Sequence, residues 1–218
     1  KKGLMQKLLT GEVRLPGFED KWKKVYLKDV VIGKGSYGIN AASVERRPEL
    51  PTYLRITDIT DEGNIITKGL QSVDHPDSSK YFLEENDIVF ARTGASTGKS
   101  YLYKKTDGRL VYAGFLIKFS IDTNKAVPQY IKFCTQTEEY HHWVKVMSMR
   151  SGQPGINAEE YSKLPIYLPP INEQFEIAKI LTNLDREILL LKKENDFLRN
   201  QMKGLMQLLL TGKVRVQV

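Results

Sequence analysis

The chain has 218 residues, with 33 lysines and arginines against 26 aspartates and glutamates, for a formal net charge of +7; that balance favours a polyanionic partner without requiring one. The single cysteine, Cys134, excludes an intramolecular disulfide and fits a reducing compartment. No run is apolar for long enough to span a bilayer and no signal peptide is read, so a cytoplasmic protein without a membrane anchor is expected.

The first ten residues read as the end of a helix, closed by Thr10-Gly11, since glycine suits the position just past a helix end. Pro16-Gly17 is a turn. Trp22, Val25, Leu27, Val30 and Val31 are expected core contacts. Gly33-Lys-Gly-Ser-Tyr-Gly38 reads as a loop, either of unusual backbone angles or a plain connection. Tyr53 to Ile59 alternates and is β-rich, which predicts a strand, turned back by Asp61-Glu-Gly63. Asp74 to Ser79 is expected to be a loop.

Asp87 to Arg92 is a second strand, Thr93 to Ser100 the loop after it, and Ser100 to Tyr103 strand again. Asp107-Gly108 suggests a hairpin turn, and Leu110 to Ile121 a strand pair or one bent strand. Pro128 opens a helix that could run to about Met147, with Tyr130, Ile131, Phe133 and Trp143 on its apolar face. Ser148 to Gly155 is a polar loop. Asn157 to Glu160 has the pattern of a capping box. Leu164 to Leu168 is an exit strand stopped by Pro169-Pro170, and Asn172 is the expected cap of the last helix, with Glu173 and Glu176 near its positive end.

That last helix, 172–210, carries the strongest pattern in the chain. Ile177, Leu181, Leu184, Ile188, Leu191, Asn195, Leu198, Met202, Leu205 and Leu209 follow alternating steps of four and three, which is a heptad seam. A helix over this stretch would be about 58 Å long, too long for one wall of a compact core, so it needs a partner helix. Asn195, polar on the seam, is of the kind that fixes register at some cost in stability. An ordinary amphipathic helix at a domain edge is the alternative. The beginning of the chain also repeats its end. Lys2-Gly-Leu-Met-Gln-Lys-Leu-Leu-Thr-Gly-Glu-Val-Arg14 matches Lys203-Gly-Leu-Met-Gln-Leu-Leu-Leu-Thr-Gly-Lys-Val-Arg215, differing only at Lys7/Leu208 and Glu12/Lys213, a repeat with a period of about one domain. One unit of a tandem pair is the expectation.

Catalytic motifs are weak. Gly94-Ala-Ser-Thr-Gly-Lys-Ser100 has three residues between its first glycine and the Gly-Lys pair where a phosphate loop needs four, and strand, not helix, follows. Adjacent His141 and His142 point to different sides of a helix and cannot easily share a metal. Asp58, Asp61 and Glu62 fit a solvated strand-turn better than a metal site. No nucleophile elbow or dinucleotide fingerprint is present. What remains is recognition. Basic and hydrogen-bonding residues concentrate in the expected loops: Lys34, Ser36 and Tyr37; Arg46 and Arg47; Arg92, Ser96, Thr97 and Lys99; Arg150, Ser151 and Gln153. Arginine grips guanine, and glutamine adenine, by paired hydrogen bonds, while lysine mostly meets phosphate. Each of these residues taken alone fits a solvated surface; the set points to nucleic acid.

Ser151-Gly-Gln-Pro-Gly-Ile-Asn157, Leu164-Pro-Ile-Tyr-Leu-Pro-Pro-Ile-Asn-Glu-Gln174, Ile177-Ala-Lys-Ile-Leu181 and Leu184-Asp185 resemble the specificity subunit of type I restriction-modification enzymes. Asp87-Ile-Val-Phe-Ala-Arg-Thr-Gly94 with Thr97-Gly98 is similar to a second segment of that family, and the Leu-Leu-Thr-Gly-x-Val-Arg endings fit as well. The resemblance covers nearly the whole chain. It implies an α/β (α+β) architecture: a globular mixed-sheet target-recognition domain followed by a long coiled-coil-forming helix. It divides the chain into residues 1–10, the end of a preceding conserved helix; 11–171, the recognition domain; 172–210, a spacer helix of an antiparallel coiled coil; and 211–218, a tail.

The resemblance also implies a subunit without catalysis of its own, reading one half of a bipartite site in double-stranded DNA. Modification (adenine methyltransferase) subunits and a restriction subunit, an ATP-driven translocase and nuclease, would be its partners. It would hold no cofactor; S-adenosylmethionine, ATP and Mg would be bound by those partners. Full-length members carry two recognition domains and two long helices, whereas this chain has one of each, so it looks like a second half or a natural half-length subunit. Self-pairing through the long helix into an antiparallel dimer is open. A coiled-coil adaptor for protein partners is the first rival, and a nuclease or nucleotidase the second.

Overall fold

The computed structural model describes residues 1–149 and 155–215. Two compact units emerge: residues 2–178, and residues 179–218 together with Lys1. The larger unit opens with helix α1 (Lys2–Thr10) and strand β1 (Lys23–Tyr26). Strands β2 (Val31–Tyr37), β3 (Ser43–Val44), β4 (Thr52–Leu54), β5 (Gln71–Val73), β6 (Asp87–Ala91), β7 (Ser100–Leu102), β8 (Leu110–Tyr112) and β9 (Leu116–Ile121) follow. Helices α2 (Pro128–Cys134), α3 (Glu138–Ser148) and α4 (Ala158–Ser162), strand β10 (Pro165–Leu168) and the long helix α5 (Ile171–Leu210) complete the chain. This is the mixed α/β domain with a long terminal helix that the sequence leads one to expect.

Two four-stranded sheets, ordered β2-β9-β6-β7 and β3-β5-β4-β8, share one core, and β1 pairs with β10 in a separate ribbon. The first sheet is antiparallel; in the second, β4 and β8 run parallel. Val89 and Ala91 of β6 pack with Leu54 of β4, Leu110 and Tyr112 of β8 and Leu116 of β9. The other face of β6 presents Phe90, edge-on to Phe119 at 5.9 Å and tilted against Tyr161 at 4.8 Å. All five residues of β6 are buried, because both faces are covered, and this is why Ile88 to Ala91 read as an apolar run instead of alternating.

Leu110 to Ile121 is a bent segment that leaves one sheet and enters the other. The crossing is tight. The Gly38 N–H donates to Leu116 O (3.1 Å) and the Gly114 N–H to Ile39 O (2.8 Å). A Cβ on Gly38 would overlap the Tyr112 and Ala113 carbonyls, and one on Gly114 would overlap the Asn40 side chain.

Several expectations change. The strand expected over 53–59 ends at Leu54, because Asp58 folds back on Arg55: its Oδ2 accepts from the Arg55 backbone N–H and from Nε, both at 2.9 Å. Such local side-chain bonds compete with a strand ladder. Gly33 to Gly38 is mostly a bulged strand, not a loop, with a register shift between Ile32 and Ser36 and a positive φ of 73° at Gly33. Gly35 makes room for the Phe119 ring. Asp107-Gly108 closes no hairpin, since β7 and β8 lie in different sheets. Strands β3 and β5 are too short to leave a pattern.

The helix expected from Pro128 to about Met147 is broken after Cys134. Thr137 Oγ1 donates to Cys134 O (2.9 Å) and accepts from the Tyr140 N–H (3.2 Å), ending one helix and capping the next. Of the early apolar residues, Leu27, Val30 and Val31 are buried, while Trp22 and Val25 are half-buried.

The long helix starts one residue earlier than expected, at Ile171, so Asn172 lies inside it. Glu173 is fully buried. It takes hydrogen bonds from Arg14 Nε (2.8 Å), Arg14 Nη2 (2.9 Å) and Trp22 Nε1 (3.1 Å). Gln174 accepts from the Val127 N–H and donates to Pro169 O. The Glu-Gln pair thus pins the first turn of α5 to the domain. At 40 residues, α5 is about 60 Å long. Ile177 and Leu181 are buried, Leu184 and Ile188 half-buried, and Leu191, Asn195, Leu198, Met202, Leu205 and Leu209 exposed. No helix among the described residues is long and apolar enough to cross a membrane.

Candidate nucleic-acid interface

Arg92 is the residue that follows β6 and inherits that strand's rigidity. Its N–H donates to Phe115 O (3.0 Å) and its carbonyl accepts from the Ile156 N–H (2.9 Å). The loop beyond it is held from the helical side. Tyr140 Oη donates to Gly98 O (2.6 Å) and Tyr161 Oη to Ala91 O (2.7 Å). Burial of both phenols raises their pKa values, so they remain donors. Thr93 forms an isolated bridge with Gly155.

The Arg92 guanidinium lies over the ring of Tyr37, 4.9 Å from its centroid. Tyr37 ends β2 and is 41 % exposed. Its hydroxyl accepts from the Ala158 N–H at the start of α4 (3.1 Å). Ser36, one residue before, shares a hydrogen bond with the buried Tyr112 hydroxyl (3.0 Å). Four of the residues singled out in the sequence therefore meet in one neighbourhood or on one strand: Lys34, Ser36, Tyr37 and Arg92.

Two clefts are of interest here, the first walled by members of this group and the second by Phe115, whose carbonyl accepts from the Arg92 N–H. The first, of about 540 Å³, has Lys28, Lys34, Tyr37 and Asn157 among its walls. The second, of about 460 Å³, is bounded by residues 40–43, by Arg55 to Thr57 and by Ala113 to Phe115. Phe115 is 57 % exposed. A flat exposed ring, a planar guanidinium and two lysines beside concave surfaces suit a ligand with both phosphates and base edges.

The other candidate residues fare differently. Arg46 Nη1 donates to Arg47 O, Leu50 O and Ser72 Oγ, so its guanidinium fastens the loop after β3. Arg47 is exposed, on the loop after β3. Lys99 pairs with Asp61 (3.0 Å) and donates to Ile59 O (3.2 Å). Thr97 Oγ1 caps its own turn through Gly94 O (2.8 Å), and Ser96 is half-exposed on that loop. Arg150, Ser151 and Gln153 lie outside the described residues.

Lys28 and Phe115 were not singled out from the sequence. Lys28 falls in a lysine-rich stretch whose spacing carries no signal, and Phe115 lies in a segment expected only as a strand pair or one bent strand. Asp58, expected in a solvated turn, is buried at 5 % and paired with Arg55 Nη2 at 2.7 Å. Asp87 is buried and accepts from Ser120 Oγ (2.5 Å) and the Glu84 N–H (2.9 Å). Among the described residues no three His, Cys, Asp or Glu side chains cluster as metal ligands would. Desolvation pushes the Cys134 thiol up to about 12, which makes it a poor nucleophile.

The chain is thus a mixed two-sheet domain with an arginine–tyrosine pair at its surface, continued by a long helix with an apolar stripe. The family model described as the Type I restriction modification DNA specificity domain matches residues 19–200, and the chain belongs to that family. The MjaVIII specificity subunit of a type I restriction enzyme of Methanocaldococcus jannaschii is 26% identical over 233 residues, covering 100% of this chain and 54% of that protein. The StySPI specificity subunit of Salmonella potsdam is 28% identical over 138 residues, 61% of this chain and 30% of that one.

Two solved structures share the fold. The HsdS subunit from Thermoanaerobacter tengcongensis superposes with a TM-score of 0.57 at 16% identity, covering 89% of this chain and 50% of that one. The type I restriction-modification S subunit from M. genitalium superposes with a TM-score of 0.61 at 14% identity, covering 93% and 51%. The chain spans about half the length of each of these structures and of the MjaVIII protein.

Proposed function

We propose that this chain reads DNA sequence for a type I restriction-modification system. Residues 11–171 act as a target-recognition domain that reads one half of a bipartite site, and α5 acts as a spacer that pairs antiparallel with a second long helix. Residues 1–10 correspond to the end of a preceding helix of that kind and residues 211–218 to a tail. The observation that carries this reading is the family match over 19–200. The Tyr37–Arg92 pair, with Tyr37 on the wall of a cleft, supports it. Within that neighbourhood Arg92 addresses a base edge and Lys34 a phosphate, while Arg47, Ser96 and Thr97 lie on loops that would border the duplex, with Arg150, Ser151 and Gln153 as further DNA contacts. Arg46 and Lys99 serve chiefly as braces.

In this reading the chain carries no active site and holds no cofactor. Methyl transfer from S-adenosylmethionine belongs to modification subunits, and ATP- and Mg-dependent translocation and cleavage to a restriction subunit. A cytoplasmic location, where those subunits and genomic DNA meet, goes with it. The test is a genome-wide map of adenine methylation, made after co-expression with the cognate modification subunit in a host without adenine methylation. The expected result is one bipartite motif. No methylation, with the same modification subunit active beside another specificity subunit, overturns the proposal.

A further inference from the structure

Phe115 holds a position that the core does not explain. Phe90 and Phe119 of the same sheet are buried, whereas Phe115 is 57 % exposed. Among the described residues it forms no ring or cation–π contact. A lone exposed ring is common on protein surfaces, so exposure by itself says little. What singles this ring out is how firmly its backbone is held and beside what.

Phe115 sits in a tight turn between β8 and β9, closed by the Leu116 N–H donating to Ala113 O (2.8 Å). The turn is clamped to the chain just after Tyr37. There the Gly114 N–H donates to Ile39 O (2.8 Å) and the Gly38 N–H to Leu116 O (3.1 Å). On its other side Phe115 O accepts from the Arg92 N–H (3.0 Å), continuing the register in which Ala91 faces Leu116. Because β9 lies between β2 and β6, Phe115 comes between Tyr37 and Arg92 in the order of the strands. Neither Gly38 nor Gly114 has room for a Cβ, so the turn that carries the ring is packed closely on its neighbours.

Phe115 also walls the cleft of about 460 Å³, with Asn40, Ser43, Tyr53 and Arg55. Two of the polar groups there are already engaged. Tyr53 Oη donates to Ile39 O (2.8 Å), and the Arg55 guanidinium forks onto Asp58. Next to a guanidinium with hydrogen bonds to offer, the turn therefore presents an apolar surface. In the major groove the base pairs differ in their donors and acceptors and in one apolar group, the thymine C5-methyl. That methyl is the feature a phenyl ring can read.

We propose that Phe115 is a specificity-determining residue that packs on the C5-methyl group of a thymine next to the base addressed by Arg92. The inference rests on the reading of this domain as a DNA-recognition domain and adds one feature to it. The half-site contains an A·T pair whose methyl lies in the major groove beside the Arg92 contact. Arginine and ring, on hydrogen-bonded neighbouring strands, then read adjacent base pairs by different chemistry.

The test uses the full chain assembled with its modification subunit, and duplexes of the motif found by the methylation map. Each thymine in turn is replaced by deoxyuridine, which deletes the methyl and keeps every hydrogen bond. For the parent, one replacement in the half-site is expected to weaken binding by about 3- to 10-fold, the worth of one buried methyl group. Phe115→Ala should lose about the same factor on the thymine duplex and be indifferent to that replacement. Phe115→Leu, which keeps an apolar surface, should keep part of the sensitivity. If the ring were only structural, the variants would bind both duplexes less well and keep the parent's ratio between them, and that result overturns the proposal. A half-site without an A·T pair, or a parent indifferent at every thymine, overturns it as well. If the parent yields no motif, or binds none of its duplexes, the recognition reading itself falls and this inference with it.

Discussion

The Arg92 guanidinium rests on the Tyr37 ring at 4.9 Å, joining the end of β6 to the end of β2. A guanidinium over a ring spends none of its N–H donors on that contact, so in the proposed reading the Arg92 fork can still serve a base. Arg92→Ala is expected to weaken binding of the cognate duplex by about 10- to 100-fold, corresponding to about 1–3 kcal/mol for a bidentate base contact. Arg92→Lys should recover little, because an ammonium restores the charge but not the fork. Fluorescence anisotropy with cognate and single-base-changed duplexes decides: equal losses on all sequences would make Arg92 a phosphate contact instead.

Lys34 and Lys99 were equivalent in the sequence, a lysine in a glycine-rich loop in each case. The structure separates them. Lys34 is exposed on the wall of a cleft, whereas Lys99 is tied to Asp61 and to Ile59 O. Lys34→Ala is expected to reduce the slope of log K against log salt by about 1, the share of one phosphate contact. Lys99→Ala should leave that slope nearly unchanged. The salt titration rejects this distinction if the two variants behave alike.

What was legible in the sequence follows from how far each signal extends. The helix over 171–210 was plain because its seam persists through five heptads, and β6 was plain because burial on both faces leaves an apolar run. The break at Thr135–Thr137 was hidden because a capping threonine looks like any helical threonine until its carbonyl partner at Cys134 is known. Asp58 looked solvated because its partner, Arg55, reads as the middle of a strand. The site was half legible: residue types pointed to Tyr37 and Arg92 separately, but their contact joins strands more than fifty residues apart, and no local pattern records it. Phe115 lies in a stretch expected only as a strand pair or one bent strand, and the bend there involves close approach at Gly38 and Gly114, which no local pattern records.

Glu173 shows why the Pro-Pro-Ile-Asn-Glu-Gln segment matters to the start of the long helix. Its carboxylate is fully buried and satisfies Arg14 and Trp22 together. Glu173→Ala would leave the indole N–H and a guanidinium edge without their acceptor. Breaking a buried pair costs about 3–5 kcal/mol, and partial exposure of Arg14, at 29 %, lowers the expectation to about 2–3 kcal/mol after allowing for solvent screening. At about 2–4 °C per kcal/mol for a domain of this size, the Tm should fall by roughly 4–12 °C. Glu173→Gln should lose less, since it keeps one acceptor. Differential scanning calorimetry of the two variants measures this, and an unchanged Tm for the alanine variant would show that the helix is held by Gln174 and apolar contacts alone.

The distal seam of α5 is an exposed apolar stripe. Leu191, Leu198, Met202 and Leu205 are each exposed at 54–57 %, and burying such side chains is worth about 1.5–3 kcal/mol each. Leu191→Asp should therefore abolish pairing of the long helix, read as loss of self-association by sedimentation or of co-purification with modification subunits, while the Tm of the globular unit stays within about 1 °C. Asn195 acts in the opposite sense. Within one helix its Oδ1 accepts from Arg199 Nε at 3.2 Å, so pairing must either bury that amide with its partner or replace it. Asn195→Leu is expected to strengthen pairing but to broaden register and orientation, which pairwise distance measurements between spin labels at positions 188 and 202 would detect as a widened distribution. A sharpened or unchanged distribution would remove Asn195 from any role in register and leave the seam a purely apolar contact.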